Sequence, residues 1–377
     1  MALMQYLTEC RFDHGARSQL GAVLKRLGAT RPLVVTDPGI AAIGLIQTAL
    51  EGLGAEPAGL FASTPANPTE ASVHEALAAY RAAGADSLVA VGGGSAMDLA
   101  KAVGLLATHE GPLARLGTAQ KGTRHIGPIP PLVALPTTSG TGSEVSIGAM
   151  IVMETGEKEL FVSNHLIPKV ALCDPELTFG LPPGLTAATG MDAVTHCIES
   201  LFAPAVHPPA DAIALDGIDR ALRQGMLARA VADGSDRDAR WHMMMASTEG
   251  AMAFVKGLGS VHALAHAAGA LKALNLHHGT LNAIFLPHVL RINRGAAPDK
   301  EERLRQVLGL GAGACLGDAI QAVNDAIGIP PSLAALGVTA AEGPAVVAGA
   351  LKDLAHYTNP RPLSQAEYES LFEAALG

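Results

Sequence analysis

Cysteine is scarce: four in 377 residues (Cys10, Cys173, Cys197, Cys315), widely separated and without a C-x-x-C pair. That excludes a disulfide framework and a thiolate zinc knot, and it points to a reducing compartment, the cytoplasm. No apolar run reaches the ~18 residues that a membrane-spanning helix needs, so no membrane partner is expected. The opening MALMQYLTECRFD lacks the apolar block of an export signal. Basic residues are outnumbered, 26 Lys and Arg against 35 Asp and Glu, which leaves a net charge of −9. A nucleic-acid partner, which demands a basic face, is therefore not expected. Charged residues make up only 16% of the chain and apolar residues 49%, material for sizeable cores rather than disorder. At ~150 residues per domain, this length makes about two domains.

The two halves differ in pattern. Before residue 180, apolar runs of strand length alternate with amphipathic stretches: Leu33–Thr36, Leu88–Val91, Leu132–Leu135 and Val170–Cys173. Continuous apolar runs mark strands buried on both faces, hence a parallel sheet covered by helices. A helix is predicted over Glu70–Ala83, started by Asn67-Pro68 and ended by Gly84. A hairpin is expected around Thr155-Gly156. After Leu181-Pro182-Pro183-Gly184 the pattern is helical throughout, as in Ala210–Leu222, Arg240–Phe254 and Ala340–His356. The expectation is an α/β domain over residues 1–180 and an all-helical domain over 181–377.

Two glycine-bearing segments follow predicted strands. Gly92-Gly93-Gly94-Ser95 leads from a strand into a helix, where free backbone N–H groups and the helix dipole favour a diphosphate. The same four residues also make an ordinary tight turn with Ser95 as helix cap. Pro136-Thr137-Thr138-Ser139-Gly140-Thr141-Gly142-Ser143-Glu144 sets five hydroxyls among two glycines, an array suited to phosphate or ribose oxygens. Neither segment is G-x-G-x-x-G or a P-loop. Asp37, at the end of the first predicted strand, is suited to a ribose hydroxyl or to the Asp37-Pro38-Gly39 turn. Asn67, on spacing alone, is a helix cap.

Histidines cluster. Of 14, five (His262, His266, His277, His278, His288) fall within residues 262–288, where even spreading places about one. Asp192 and His196 are four apart in a helical stretch, as are His262 and His266. Residues i and i+4 share a helix face, so each pair presents two groups to one point. Their surroundings are apolar, and buried polar groups must be partnered. Singly, each is an ordinary core histidine. Together they supply three imidazoles and a carboxylate, a donor set for a divalent ion. H-E-x-x-H and G-x-S-x-G are absent, which removes metalloprotease and serine-hydrolase chemistry. A metal-storing or metal-sensing protein remains the alternative from another class.

In this order, GGGSAMDLAK, PTTSGTGSE, GMDAVTHCIES and GLGSVHALAH…LHHGTLNAIFLPHVLRIN resemble the iron-containing (group III) alcohol dehydrogenase family, over nearly the whole chain. Within it, STPANPTEA, GLTAATGMDA, AMAFVKGLG and LHHGTLNA are most similar to the 4-hydroxybutyrate dehydrogenases. The resemblance implies a dehydroquinate-synthase-like fold, with a site between an N-terminal dinucleotide-binding domain and a helical domain. It implies Asp192, His196, His262 and His278 as metal ligands, His278 being chosen over His277 because it precedes Gly279. The ion implied is Fe2+, with Zn2+ the alternative. His266 matches the histidine beside the nicotinamide, a candidate acid-base group. Gly93, Gly94 and Ser95 match the pyrophosphate loop, and Thr137, Thr138 and Thr141 the loop around phosphate and ribose. Asp37 matches the acid tied to NAD preference. Asn67, Lys158 and Leu177 fall at further cofactor contacts, which moves Asn67 from cap to contact. The substrate implied is a small alcohol or aldehyde, 4-hydroxybutyrate and succinate semialdehyde first, with a broad alcohol or polyol substrate as the alternative. A distal carboxylate needs a cation, and Lys256 is the candidate. A homodimer or larger homo-oligomer is implied as well.

Overall fold

A computed structural model describes Tyr6, Thr8–Leu271 and Leu274–Gly377; the stretch read for an export signal falls partly outside these residues. The four apolar runs become β2 (Pro32–Val35), β4 (Ser87–Gly92), β5 (Leu132–Pro136) and β8 (Val170–Cys173), buried along their whole lengths. With β1 (Glu9–Phe12) and β3 (Gly59–Phe61) they form one parallel sheet in the order β1-β8-β5-β4-β2-β3. Side chains alternate between two cores, as a pleat demands. Leu33, Val35, Leu88, Ala90, Leu132 and Ala134 face the helices Glu70–Ala82 and Gly94–Thr108. Val34, Val89, Val91, Val133, Val170 and Leu172 face the other way, onto Leu20, Val23, Ile46 and Leu177. β6 (Gly148–Val152) and β7 (Lys158–Val162) pair antiparallel, the expected hairpin.

This order places a switch point between β2 and β4. From β2 the chain crosses to β3 on one side; from β4 it crosses to β5 on the other. In open parallel sheets the carboxyl ends of such strands flank a binding crevice. Here those ends carry Thr36-Asp37 and Gly92-Gly93.

The helical part is organised around Pro183–Phe202, in which every residue from Thr186 to Phe202 is buried. It packs against Pro208–Ile218, Arg237–Ala253 and His278–Ile292, while Ser260–Gly269 packs against His278–Ile292 and Gly343–Lys352. The last carbonyls of Pro183–Phe202, which have no partner within the helix, receive two ammonium groups. Lys300 donates to Phe202 and Ala203 (3.4 and 2.6 Å), and Lys256 to Leu201 (3.3 Å).

The chain divides into two compact units. One holds the described residues up to Thr138 and Gly142–Phe179; the other holds Ser139–Thr141 and Gly180–Gly377. Two local expectations are corrected. The helix Glu70–Ala82 is capped by Thr69, whose hydroxyl accepts from Ser72 N–H, and not by Asn67. The helix Gly94–Thr108 has Gly93 as its cap residue, while the Ser95 hydroxyl donates to the Ala66 carbonyl. Among the described residues, no helix is long and apolar enough to cross a membrane.

Candidate functional site

Within the helical unit, four predicted groups converge. Asp192 and His196, one turn apart on Pro183–Phe202, bring Oδ1 and Nε2 to 3.8 Å. Nε2 of His262, on Ser260–Gly269, lies 3.8 Å from the same oxygen, and Nε2 of His278 lies 3.6 Å from it. Ligands at bonds of about 2.0–2.2 Å around a tetrahedral ion stand about 3.3–3.6 Å apart. Asp192, His196 and His262, whose ligand atoms all lie within 4.8 Å of one another, therefore fit a divalent cation, with His278 beside the same Asp192 oxygen. Asp192, His196 and His262 are buried. Burial alone would raise the Asp192 carboxyl, but its neighbours His196 and His278, with the Asn282 amide, hold it below the ordinary carboxylate range. Burial, reinforced by His196, pushes His262 well below its ordinary value, so its ring is neutral, the form that binds metals.

Backbone proximity brings His278 in. A methyl group at Gly279 would stand 2.3 Å from the Ala188 carbonyl oxygen. Only glycine lets the start of His278–Ile292 approach Pro183–Phe202 this closely. Of the doublet, His277 caps its own helix, receiving the Thr280 N–H at 3.4 Å.

Three groups around the cluster carry no spacing signal strong enough to be singled out from sequence. Glu199 Oε2 accepts from His262 Nδ1 at 2.6 Å. Asn282 donates its amide to Asp192 Oδ1 (2.7 Å) and lies 3.2 and 3.1 Å from Nε2 of His262 and His278. Asp353 Oδ2 lies 2.8 Å from Nδ1 of His266. The His266 ring stacks on that of His278, with centroids 5.2 Å apart and planes 11° from parallel. Glu199 and Asn282 had a faint signature, each on the same helix face as a candidate ligand and one turn away (i+3 from His196, i+4 from His278). Asp353, 87 residues from His266, had none. Cys197 packs beside Gly217 and Gly250, and burial raises its thiol, so it is a core residue and not a nucleophile.

In the α/β unit Asp37, Gly93, Gly94, Ser95, Thr137 and Thr138, of the predicted cofactor residues, follow the carboxyl ends of β2, β4 and β5. Gly92, at φ +154°, has no room for a side chain: an added methyl would stand 2.8 Å from Ala96 Cβ and 3.3 Å from Asp37 Oδ2. A methyl on Gly93 would reach Thr138 Oγ1 at 3.3 Å. Asp37 Oδ1 caps the short helix Pro38–Ala42 by accepting from Ile40 N–H, and its other oxygen faces Gly92. The buried hydroxyls of Thr36, Thr64 and Thr137, which follow β2, β3 and β5, have no hydrogen-bond partner among the described residues. A backbone cradle without side chains, a helix N-terminus with no side-chain cap and orphaned hydroxyls fit the phosphates and riboses of a dinucleotide. Lys158 begins β7, half-buried, with its ammonium held below the ordinary value by burial. Leu177 is packed into the core between sheet and helices, and Asn67 stands half-buried before Pro68. Thr141 belongs to the helical unit, apart from Thr137 and Thr138 in the same loop.

Lys256 is not the free cation expected of a substrate partner. Its side chain is wholly buried and its ammonium is paired with Asp211 and bonded to the Leu201 carbonyl. Its charge is already committed to Asp211 and the end of the Pro183–Phe202 helix.

Family models agree along the chain. That of the iron-containing alcohol dehydrogenases matches residues 8–175, and that of the C-terminal region of the Fe-containing alcohol dehydrogenase family matches residues 186–376. A 4-hydroxybutyrate dehydrogenase of Cupriavidus necator is 50% identical, with all of both chains covered. A 1,3-propanediol dehydrogenase of Klebsiella pneumoniae is 38% identical over 97% of this chain and 96% of that one. Among solved structures, a 1,3-propanediol oxidoreductase superposes with a TM-score of 0.92 at 36% identity, over 99% of this chain and 100% of that one. These likenesses set aside the metal-storage alternative. The chain belongs to the iron-containing alcohol dehydrogenase family and is an oxidoreductase.

Proposed function

We propose that the protein is an NAD-linked, iron-dependent dehydrogenase, with zinc as the alternative ion, that interconverts 4-hydroxybutyrate and succinate semialdehyde in the cytoplasm as a homo-oligomer. The observation that carries the reading is the convergence of three imidazole Nε2 atoms on the Asp192 carboxylate. The full-length likeness to the Cupriavidus enzyme supports the substrate, and four free cysteines suit a reducing compartment.

Asp192, His196, His262 and His278 would hold the ion. When bound, the ion supplies Lewis acidity toward the substrate oxygen, and the nicotinamide supplies hydride exchange at the adjacent carbon. Gly93, Gly94, Ser95, Thr137, Thr138 and Thr141 place the dinucleotide phosphates and ribose. Asp37, its free oxygen beside Gly92, takes the ribose hydroxyls. Asp353 accepts the Nδ1 proton of His266 and leaves Nε2 as a lone pair that takes up the hydroxyl proton on alcohol oxidation. No covalent nucleophile is required.

The pairing of Lys256 with Asp211 favours a second substrate reading. A site whose expected carboxylate partner is already neutralised suits an uncharged alcohol or diol. NADH formation across 4-hydroxybutyrate, butan-1-ol and propane-1,3-diol decides between them, repeated after chelation and readdition of ferrous or zinc ions. Preference for 4-hydroxybutyrate is expected; equal rates on it and butan-1-ol would overturn the carboxylate reading.

A further inference from the structure

We propose that Glu199 is a positioning residue of the metal centre, selecting which nitrogen of His262 is free to bind the ion; this rests on the proposed ligand set. Glu199 lies on the same helix as Asp192 and His196, seven and three residues on, so the three share one face. Its side chain is 5% exposed, and both carboxylate oxygens are committed to the Ser260–Gly269 helix. Oε1 accepts the Val261 N–H at 2.8 Å; Oε2 accepts the His262 N–H at 3.3 Å and the His262 ring at 2.6 Å.

That helix begins at Gly259, which offers no side-chain cap, so its first N–H groups would be orphaned. Asn359 Oδ1 accepts the Ser260 N–H at 3.2 Å, and Glu199 supplies the acceptors for Val261 and His262 from another helix. A methyl group at Gly259 would stand 2.6 Å from Oε1, so the docking also requires the glycine. One buried carboxylate thus anchors the helix and fixes the ring that the helix carries.

The tautomer follows from the inventory of donors. Both Glu199 oxygens already accept backbone N–H groups, from Val261 and His262, so Oε2 meets the ring as an acceptor and the short contact puts the hydrogen on His262 Nδ1. Nε2 then holds the lone pair, and it is Nε2 that faces Asp192 Oδ1 at 3.8 Å. The Asn282 amide, a donor 3.2 Å from Nε2, meets the same bare nitrogen.

The test is Glu199→Gln, which keeps the volume and the acceptor for Val261 but turns an N–H toward Nδ1, so that the hydrogen moves to Nε2. Fe2+ affinity, measured anaerobically by competition with a chromogenic chelator, is expected to fall about 10- to 100-fold. Wild-type affinity in this variant overturns the proposal. Asp192→Asn is measured beside it. If it loses the ion while Glu199→Gln keeps it, the positioning role alone fails; if both bind like wild type, the ligand set fails too. A second measurement needs no Glu199 variant. In the metal-free wild type labelled with 15N-histidine, the His262 resonances, assigned by their loss in His262→Gln, are expected to show Nδ1–H. Nε2–H there overturns the proposal.

Discussion

The two units build their candidate sites from opposite materials. In the α/β unit, the cradle at the end of β4 is made of backbone: Gly92 and Gly93 carry no side chain there, and partnerless threonine hydroxyls stand at neighbouring strand ends. In the helical unit, the site is made of side chains whose charge and tautomer decide its chemistry, with His262 held by Glu199 and His266 by Asp353. A backbone cradle fails by obstruction and weakens binding of one ligand. A side-chain cluster fails by chemistry, and the loss of one member strands the others in a buried place. The same number of atoms changed should therefore have unequal effects in the two units.

The largest contrast is expected at Asp192. Asp192→Ala should empty the ion site and lower NADH formation by about a thousandfold, equivalent to about 4 kcal/mol of barrier, with metal content read by elemental analysis. Dinucleotide binding, measured by fluorescence quenching, should persist. His266→Ala should slow turnover about a hundredfold with metal content retained; a metal-free product would move His266 into the ligand set. Gly92→Ala should do the reverse of Asp192→Ala, raising KM for NAD about tenfold while metal content stays at the wild-type level, because the added methyl meets Ala96 Cβ at 2.8 Å. A normal KM would dissolve the contrast between the units.

The smallest effect concerns stability. Burial, with Asp216 beside it, raises the Glu249 carboxyl from 4.5 to about 9. The folded state thus holds a proton that the unfolded state has released, and this contribution is fully present below pH 4.5 and lost as pH rises toward 9. Thermal melts should fall over that window, and Glu249→Gln should flatten the fall by a few degrees in Tm. A wild-type slope in the variant would place the pH dependence elsewhere.

Sequence and structure agree where burial is strong. β2, β4, β5 and β8 announce themselves because both faces are covered and the residues are uniformly apolar. β1 and β3 do not, because edge strands are half-solvated: Glu9–Phe12 alternates nothing, and Gly59–Phe61 is three residues long with Leu60 exposed. The histidine pairs were legible through their i, i+4 spacing. Glu199 left only its i+3 relation to His196 and Asp353 left nothing, since a single acid carries no periodicity and the structure alone reveals which ring it faces. Lys256 misled for a related reason. A lone lysine beside a site reads as an available charge until its neighbour Asp211, 45 residues earlier, is seen to claim it.

Gly279 has a consequence for anyone wishing to alter which ion this fold prefers. The hydrogen that stands there in place of a side chain acts as a shim between two helices, setting how near the His278 ring can come to its companions. Thickening that shim by one carbon would press on the Ala188 carbonyl and, at 3.3 Å, on Asp192 Cβ, shifting His278 against the other proposed ligands without replacing any of them. Selectivity could then be tuned from outside the coordinating residues, at a position whose own chemistry is inert.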